Sequence, residues 1–150
     1  MGKKFFCMLL LAAGLTLSAC APEVRLAKLD NDMVEDTKSG LMWQMGESPT
    51  MYASREEAEK YAASLDLGGY HDWRLPSLAE RWELLQIFVL KNNGTIELPN
   101  FDSRYWTTDT DKGTLPIKLG ITCMCRGDQE IEYKSAGYVR AVRGPEKSSR

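Results

Sequence analysis

Hydrophobic and polar positions divide the chain into three textures. Residues 5–17 form an almost unbroken apolar run behind Lys3 and Lys4, residues 33–90 alternate first and then take helical spacing, and the remainder breaks into short β-prone runs. In the middle texture, Met33-Val34-Glu35-Asp36 and Leu41-Met42-Trp43-Gln44 flank the turn-forming Thr37-Lys38-Ser39-Gly40, which predicts a hairpin. Ser54-Arg55-Glu56-Glu57 has capping-box spacing, in which the Ser oxygen and the Glu carboxylate satisfy first-turn amides reciprocally. Ala58, Tyr61, Ala62 and Leu65 follow at i, i+3, i+4 and i+7, one apolar helical stripe, and Gly68-Gly69 is expected to end it. Ser77-Leu78-Ala79-Glu80 predicts a second capped helix running to about Leu90, with Leu78, Trp82, Leu85 and Phe88-Val89 as its apolar set and Asn92-Asn93-Gly94 as its close.

Between the helices, Asp72-Trp73-Arg74-Leu75 is short and extended, because Pro76 biases Leu75 toward β geometry. Alternation then turns Trp73 and Leu75 to the core and Arg74 the other way. Asp72, Glu80 and Glu83 are candidate partners for its guanidinium. After Gly94, Pro99, Gly113, Pro116, Gly120, Gly127 and Gly137 punctuate runs at 105–108, 117–125, 131–133 and 138–142, the pattern of antiparallel strands. Two helices before a series of strands predict an α+β domain, two helices packed on an antiparallel sheet with a long irregular loop region.

The apolar run is too short to span a bilayer as a helix and follows a basic start, so it reads as a secretory signal. Its ending, Leu17-Ser18-Ala19-Cys20, resembles a bacterial lipobox. That resemblance implies cleavage before Cys20, acylation of Cys20, and, with Ala21 rather than Asp next, sorting to the outer membrane. Several acyl chains anchor a protein stably where a single one is marginal. The organisation is then a signal peptide over 1–19, a lipidated Cys with a short tether over 20–29, a domain over 30–145 and a polar tail over 146–150. The formal charge of -2, made more acidic by loss of Lys3 and Lys4, gives no footprint for nucleic acid. The membrane is met through the lipid anchor.

Asp36-Thr37-Lys38-Ser39-Gly40-Leu41-Met42-Trp43-Gln44, Gly68-Gly69-Tyr70-His71-Asp72-Trp73-Arg74-Leu75-Pro76, Tyr105-Trp106-Thr107-Thr108 and Tyr138-Val139-Arg140-Ala141-Val142-Arg143-Gly144 occur in that order. The series resembles the bacterial domain family named after the C-terminal domain of the Legionella collagen-like adhesin, a domain of unknown function, over about 29–144. The resemblance implies a C-type-lectin-like fold. It makes Trp43, Trp73, Arg74, Leu75, Pro76, Trp106, Arg140 and Arg143 the structural signature. Many relatives carry Cys where Ala141 stands. Arg74-Leu75-Pro76-Ser77 and the closing 139–143 strand are also similar, more distantly, to the formylglycine-generating enzyme superfamily. The chain has no Glu-Pro-Asn or Trp-Asn-Asp triplet, so the calcium-dependent sugar site of animal C-type lectins does not carry over.

Little in the sequence offers catalysis. His71 is the single His, and no nucleophile elbow accompanies it, so a hydrolytic triad is not expected. After processing, Cys123 and Cys125 are the remaining thiols. In an oxidising envelope they admit three readings: a strained local disulfide, unpaired thiols, or a soft-metal site with Met124. Asp109-Thr110-Asp111-Lys112-Gly113 lacks the ligands of a calcium loop and reads as a turn, Arg126-Gly127-Asp128 likewise, and no cofactor or metal is expected. The irregular stretch from Lys91 to Asp128 is where binding residues are expected, with Arg104, Tyr105, Asp109 and Asp111 as candidates. A basic patch of Arg104, Arg126, Lys134, Arg140 and Arg143 is conceivable, but spacing does not bring those residues together. The function expected is an outer-membrane-anchored, non-catalytic lectin-like binding module for an envelope or extracellular polymer, carbohydrate or protein. The alternatives are a redox or soft-metal protein using Cys123 and Cys125, and a structural envelope component.

Overall fold

Strand-forming alternation around Val34 and Trp43 builds the first layer. In a computed structural model of the chain, residues 23–30, 32–123 and 128–144 are described, with the backbone alone at 122, 123 and 128. The apolar leader, Cys20, Cys125 and Arg126 lie outside the described residues. Strands β1 (Leu26–Leu29), β2 (Met33–Asp36), β3 (Met42–Gln44) and β7 (Val142–Arg143) form one antiparallel sheet in the order β1-β2-β3-β7. Strands β4 (Tyr105–Thr110), β5 (Gly113–Cys123) and β6 (Asp128–Tyr133) form a second, antiparallel sheet in sequence order. With helices α1 (Arg55–Ala63) and α2 (Leu78–Val89), the domain is α+β, as its patterning predicts, but with two sheets in place of one.

The first sheet buries both faces. Val34, Trp43 and Val142 pack with Leu84 and Ile87 of α2 and with Ile96 and Leu98. Met33 and Ala141 pack with Ala58 and Ala62 of α1 and with Trp73, Leu75, Trp106 and Val139. Successive strand residues point to opposite faces, so neighbouring Met33 and Val34 enter different clusters. The segment 137–143 stitches the two sheets together. Tyr138 exchanges backbone hydrogen bonds with Arg104 and Trp106 beside β4, while Val139 and Gly137 bond to Ser48 and Tyr52. Its hydrogen bonds are divided among several partners, and for that reason only Val142 of the expected 138–142 strand joins a regular ladder, with Arg143 after it.

Four local expectations are corrected. Residues 26–29, read as the end of a tether, are a sheet strand because Leu26 is buried and Arg25 is held by carboxylates from two elements. The Arg25 guanidinium donates to Asp36 and, at 2.9 Å, to Glu83 of α2. Helix α1 stops at Ser64, whose hydroxyl donates to the Tyr61 carbonyl, before Gly68-Gly69. Its box is also incomplete: Ser54 accepts from the Glu57 amide, but the Glu57 carboxylate takes the Ser54 hydroxyl, not the Ser54 amide. Helix α2 has its full box, yet its buried face is Glu80, Arg81, Leu84 and Ile87, rotated from the apolar set read along the sequence. Two charged residues are buried there because partners satisfy them. The C-terminal turn of α2 is a Schellman motif with Lys91, at φ 57°, in the position usually given to Gly. The Lys91 and Asn92 amides donate to the Phe88 and Ile87 carbonyls.

Arg74 joins three pieces. Its amide and carbonyl pair with Val142, extending the first sheet beyond β7. Its guanidinium grips Glu80 through both oxygens, at 2.9 and 2.7 Å, while the Ser77 amide donates to Glu80 Oε2 at 2.8 Å. Removing one partner of a buried pair strands the other charge. Arg74→Ala is expected to cost roughly 3–5 kcal/mol in denaturant unfolding, and Arg74→Met with Glu80→Gln to recover part of that loss.

Burial pushes the Asp36 carboxyl up, but the Arg25 guanidinium, the Ser39 hydroxyl and the Lys38 amide together hold it below the usual carboxylate range. A depressed carboxyl stabilises the fold above its unfolded value and loses that contribution as pH falls through the folded one. Stability should therefore decline on acidification below about pH 4. In a series of unfolding curves from pH 6 to pH 3 (about the carboxylate range), Asp36→Asn should start less stable and fall less steeply.

Candidate functional site: a mixed-charge groove on the second sheet

Alternation along β5 sends Ile117 and Leu119 inward and leaves Lys118 exposed. The ladder register sets Lys118 opposite Glu132 of β6. Lys134 follows two residues after Glu132 and ion-pairs with it. Arg104 stands at the foot of β4, held there by the bond from the Tyr138 amide to its carbonyl. Together with Asp102 and Ser103, these side chains line a cleft of about 310 Å³. A second depression of about 240 Å³ shares Lys118 and Glu132 and continues over Gly120 to Glu130. A side chain at Gly120 would meet Glu130 alone, at 3.9 Å, so the groove is open there for lack of a side chain rather than closed by a neighbour.

The Lys134 ammonium, foremost, with Lys118 and Arg104 at longer range, holds the Glu132 carboxyl below its ordinary value against a small opposing effect of burial. Lys134 is thus committed to Glu132, whereas Arg104 and Lys118 make no ion pair among the described residues. Three cations against Asp102 and Glu132 leave the cleft locally positive on a chain whose formal charge is -2. Such an array can take a carboxylate or an array of hydroxyls. Among the described residues no cluster of three or more His, Cys, Asp or Glu side chains could hold a metal ion.

The structure separates the residues expected to bind. Arg104 is in the cleft. Tyr105, expected to offer an aromatic face, is 1% exposed and is a core residue. Its hydroxyl donates to Glu47 and accepts from Arg140 Nη2 at 2.9 Å, and the Arg81 and Arg140 guanidinium carbons lie 4.8 and 5.1 Å from its ring centroid. Burial raises the Tyr105 phenol and lowers Arg81 to about 10, still far above neutrality. Asp109 and Asp111 sit at the far end of β4, about 17 Å away at the strand rise. Asp109, at φ 57°, is at the register shift between Thr107 and Thr110, and Asp111 takes the Tyr133 hydroxyl. They build the hairpin turn, so the four candidates do not form one site.

Among the described residues of the conceived basic patch, Arg104 and Lys134 alone meet; Arg126 lies outside the described residues. Arg140 is buried on Tyr105, and Arg143 is held by Asp72 with its guanidinium 3.7 Å over the Tyr70 ring. His71 is exposed, 4.0 Å from Asp66. Cys123 closes β5 opposite Asp128 in the backbone ladder; the redox state of the pair with Cys125 lies outside the described residues. Lys118 and Glu132 were missed, although Ile117-Lys118-Leu119 and Ile131-Glu132-Tyr133 each place one charge between two apolar residues, the mark of an outward position on a half-buried strand.

The signature residues, in contrast, converge on packing. Trp43, Trp73, Leu75, Pro76 and Trp106 are buried, the Trp73 and Trp106 indoles donate to the Tyr70 and Tyr52 carbonyls, and the Pro76 carbonyl accepts from the Thr108 amide at 2.9 Å. Residues 32–143, which hold every one of these positions, match the Lcl C-terminal domain family. The chain belongs to the Lcl C-terminal domain family. The match begins after β1, so in this member of the Lcl C-terminal domain family the edge strand and its Arg25 clamp precede the shared region. No curated protein and no solved structure matches the chain.

Tyr105→Phe should leave the ring packing in place while removing both the donor to Glu47 and the acceptor for Arg140. A loss of about 1–3 kcal/mol is expected from the unsatisfied buried groups, read as a lower midpoint in denaturant at unchanged slope.

Proposed function

We propose that this Lcl C-terminal domain is a non-catalytic, lectin-like binding module, held at the outer membrane by acylated Cys20, which takes an envelope or extracellular polymer along the β5–β6 groove. The observation that carries the reading is the groove's own composition. Arg104, Lys118, Ser103 and Asp102 serve neither hydrophobic cluster, so their placement side by side is not required by packing. Surface charges free of packing duties on a rigid sheet are suited to ligand contact. Cations recognise carboxylates of acidic sugars or side chains, and Ser103, Asp102 and Glu132 can exchange hydrogen bonds with hydroxyls. The continuation over Gly120 fits an extended chain better than a small molecule.

The lectin-like part of the proposal rests on the motif resemblance. The two helices and the irregular connection of residues 90–104 between α2 and β4 are in keeping with it. Envelope location rests on the lipobox.

The test is capture of partners from envelope extract and from a glycan panel by the mature domain, followed by titration of the partner found. Arg104→Glu with Lys118→Glu should weaken binding at least tenfold (about 1.4 kcal/mol) with little change in melting temperature. Lys28→Glu, exposed on the edge strand of the other sheet, should bind as wild type does. Unchanged affinity in the folded double variant would place the binding surface elsewhere.

A further inference from the structure

Three of the five large apolar residues that stand exposed among the described residues gather at one end of the domain: Val24, Val89 and Leu90, which are 56%, 36% and 64% exposed. Two contacts bring them together. The Arg25 amide donates to the Asn92 carbonyl at 2.7 Å, and a Cβ built on Gly94 would lie 2.8 Å from Val24 Cγ1. Val24 therefore lies on the turn that follows Leu90, in room left by a glycine. The Schellman bonds from Lys91 and Asn92 fix that turn, so Leu90 is held outward by backbone structure.

Covalent reach decides what such an end faces. Val24 is four residues beyond Cys20, and four extended residues span at most about 14 Å. A domain tethered through an acylated Cys20 must present this end to the bilayer. The residues flanking Val24 and Leu90 in sequence include exposed Glu23 and Lys91, of opposite sign, while Arg25 is occupied by Asp36 and Glu83. Those two charges cancel, and the exposed apolar side chains suit insertion among lipid headgroups and acyl-chain ends.

We propose that Val24, Val89 and Leu90 form a membrane-docking face that seats the domain on the bilayer holding its anchor and so sets the orientation of the groove. The inference rests on the reading of Cys20 as acylated. A contact of this kind is apolar, so salt does not release it.

The experiment uses the full acylated chain in phosphatidylethanolamine–phosphatidylglycerol vesicles, with and without lipids brominated in the acyl chain. Leu90 is exposed, so Leu90→Trp should fold normally. Its emission should fall at least twofold further than the wild-type signal on bromination, at both low and high salt, whereas Lys118→Trp should add no quenching. Val24→Asp with Leu90→Asp should remain acylated and vesicle-bound, yet show greater proteolytic access at the α2 C-terminus. If Cys20 is acylated and Leu90→Trp is not quenched, the docking face is overturned while the anchor stands. If Cys20 takes no acyl chain, both fall. Self-association of the lipid-free chain that Leu90→Asp abolishes, without quenching in vesicles, would overturn the proposal in favour of a second copy.

Discussion

Glu80 is a carboxylate with no exposed surface on the first turn of a helix that packs in a hydrophobic core, and the domain is arranged around making that position tolerable. An ion taken out of water costs several kcal/mol unless partners replace its hydration. Here both oxygens meet the Arg74 guanidinium and one also accepts the Ser77 amide. The pair cannot form unless α2 begins at Ser77 and Arg74 stands beside Val142. The start of a helix, the end of a sheet and the chain's closing segment are thereby fixed relative to one another by one interaction. Pro76, between the two partners, removes an amide that would need a hydrogen bond and offers its carbonyl to Thr108, which brings the second sheet into the same junction.

The next residue on the buried face of α2 repeats the problem with the sign reversed. Arg81 and Arg140 are both buried, and Arg140 Nε and Nη1 have no hydrogen-bond partner among the described atoms. What they have in common is the Tyr105 ring, within cation–π range of both guanidinium carbons. Thr107 accepts from Arg81 at 3.3 Å, and the Pro99 carbonyl accepts from Arg140. Arginine suits such a place because its planar, weakly hydrated cation stacks where an ammonium would demand a full shell. The cluster connects α2, β4, the closing segment and the irregular connection before β4, so the long loop is pinned at Asn100 and Pro99 where it meets the core.

How much of this was legible follows from the range of each interaction. Both helices, the first hairpin and the inward turn of Trp73 and Leu75 depend on neighbours in sequence, and local spacing reveals them. The buried face of α2 is legible only in part: Glu80 stands out as a partner for Arg74 six residues before it, but Arg81 looks like a solvent-facing charge until Tyr105 arrives from elsewhere in the chain. β1 escaped for the same reason, since Leu26-Ala27-Lys28-Leu29 has no strong strand pattern and is secured by Arg25 reaching Asp36 and Glu83. Tyr105 was misread as a ligand-facing aromatic because an aromatic residue at the edge of an irregular stretch looks alike in sequence whether it turns in or out. The groove was half legible. Arg104 and Lys134 stand out as charges, but only the β5–β6 register brings Lys118 to Glu132.

That division bears on where function can reside in a member of this family. Each signature side chain described above is engaged: tryptophans in the core, Arg74 on Glu80, Arg140 on Tyr105, Arg143 on Asp72 and Tyr70. Groups buried or already held by internal partners have little left to offer a ligand, and replacing any of them would disturb the fold first. Under the proposed function, recognition would then draw on residues outside the motifs, on surfaces the motifs hold rigid. The β5–β6 groove meets that condition, because its backbone is ladder-paired while its charges are spent only in part on one another. A fold secured by buried ion pairs does not depend on its outer sheet face, so under the proposed function substitutions there would alter binding without renegotiating the core.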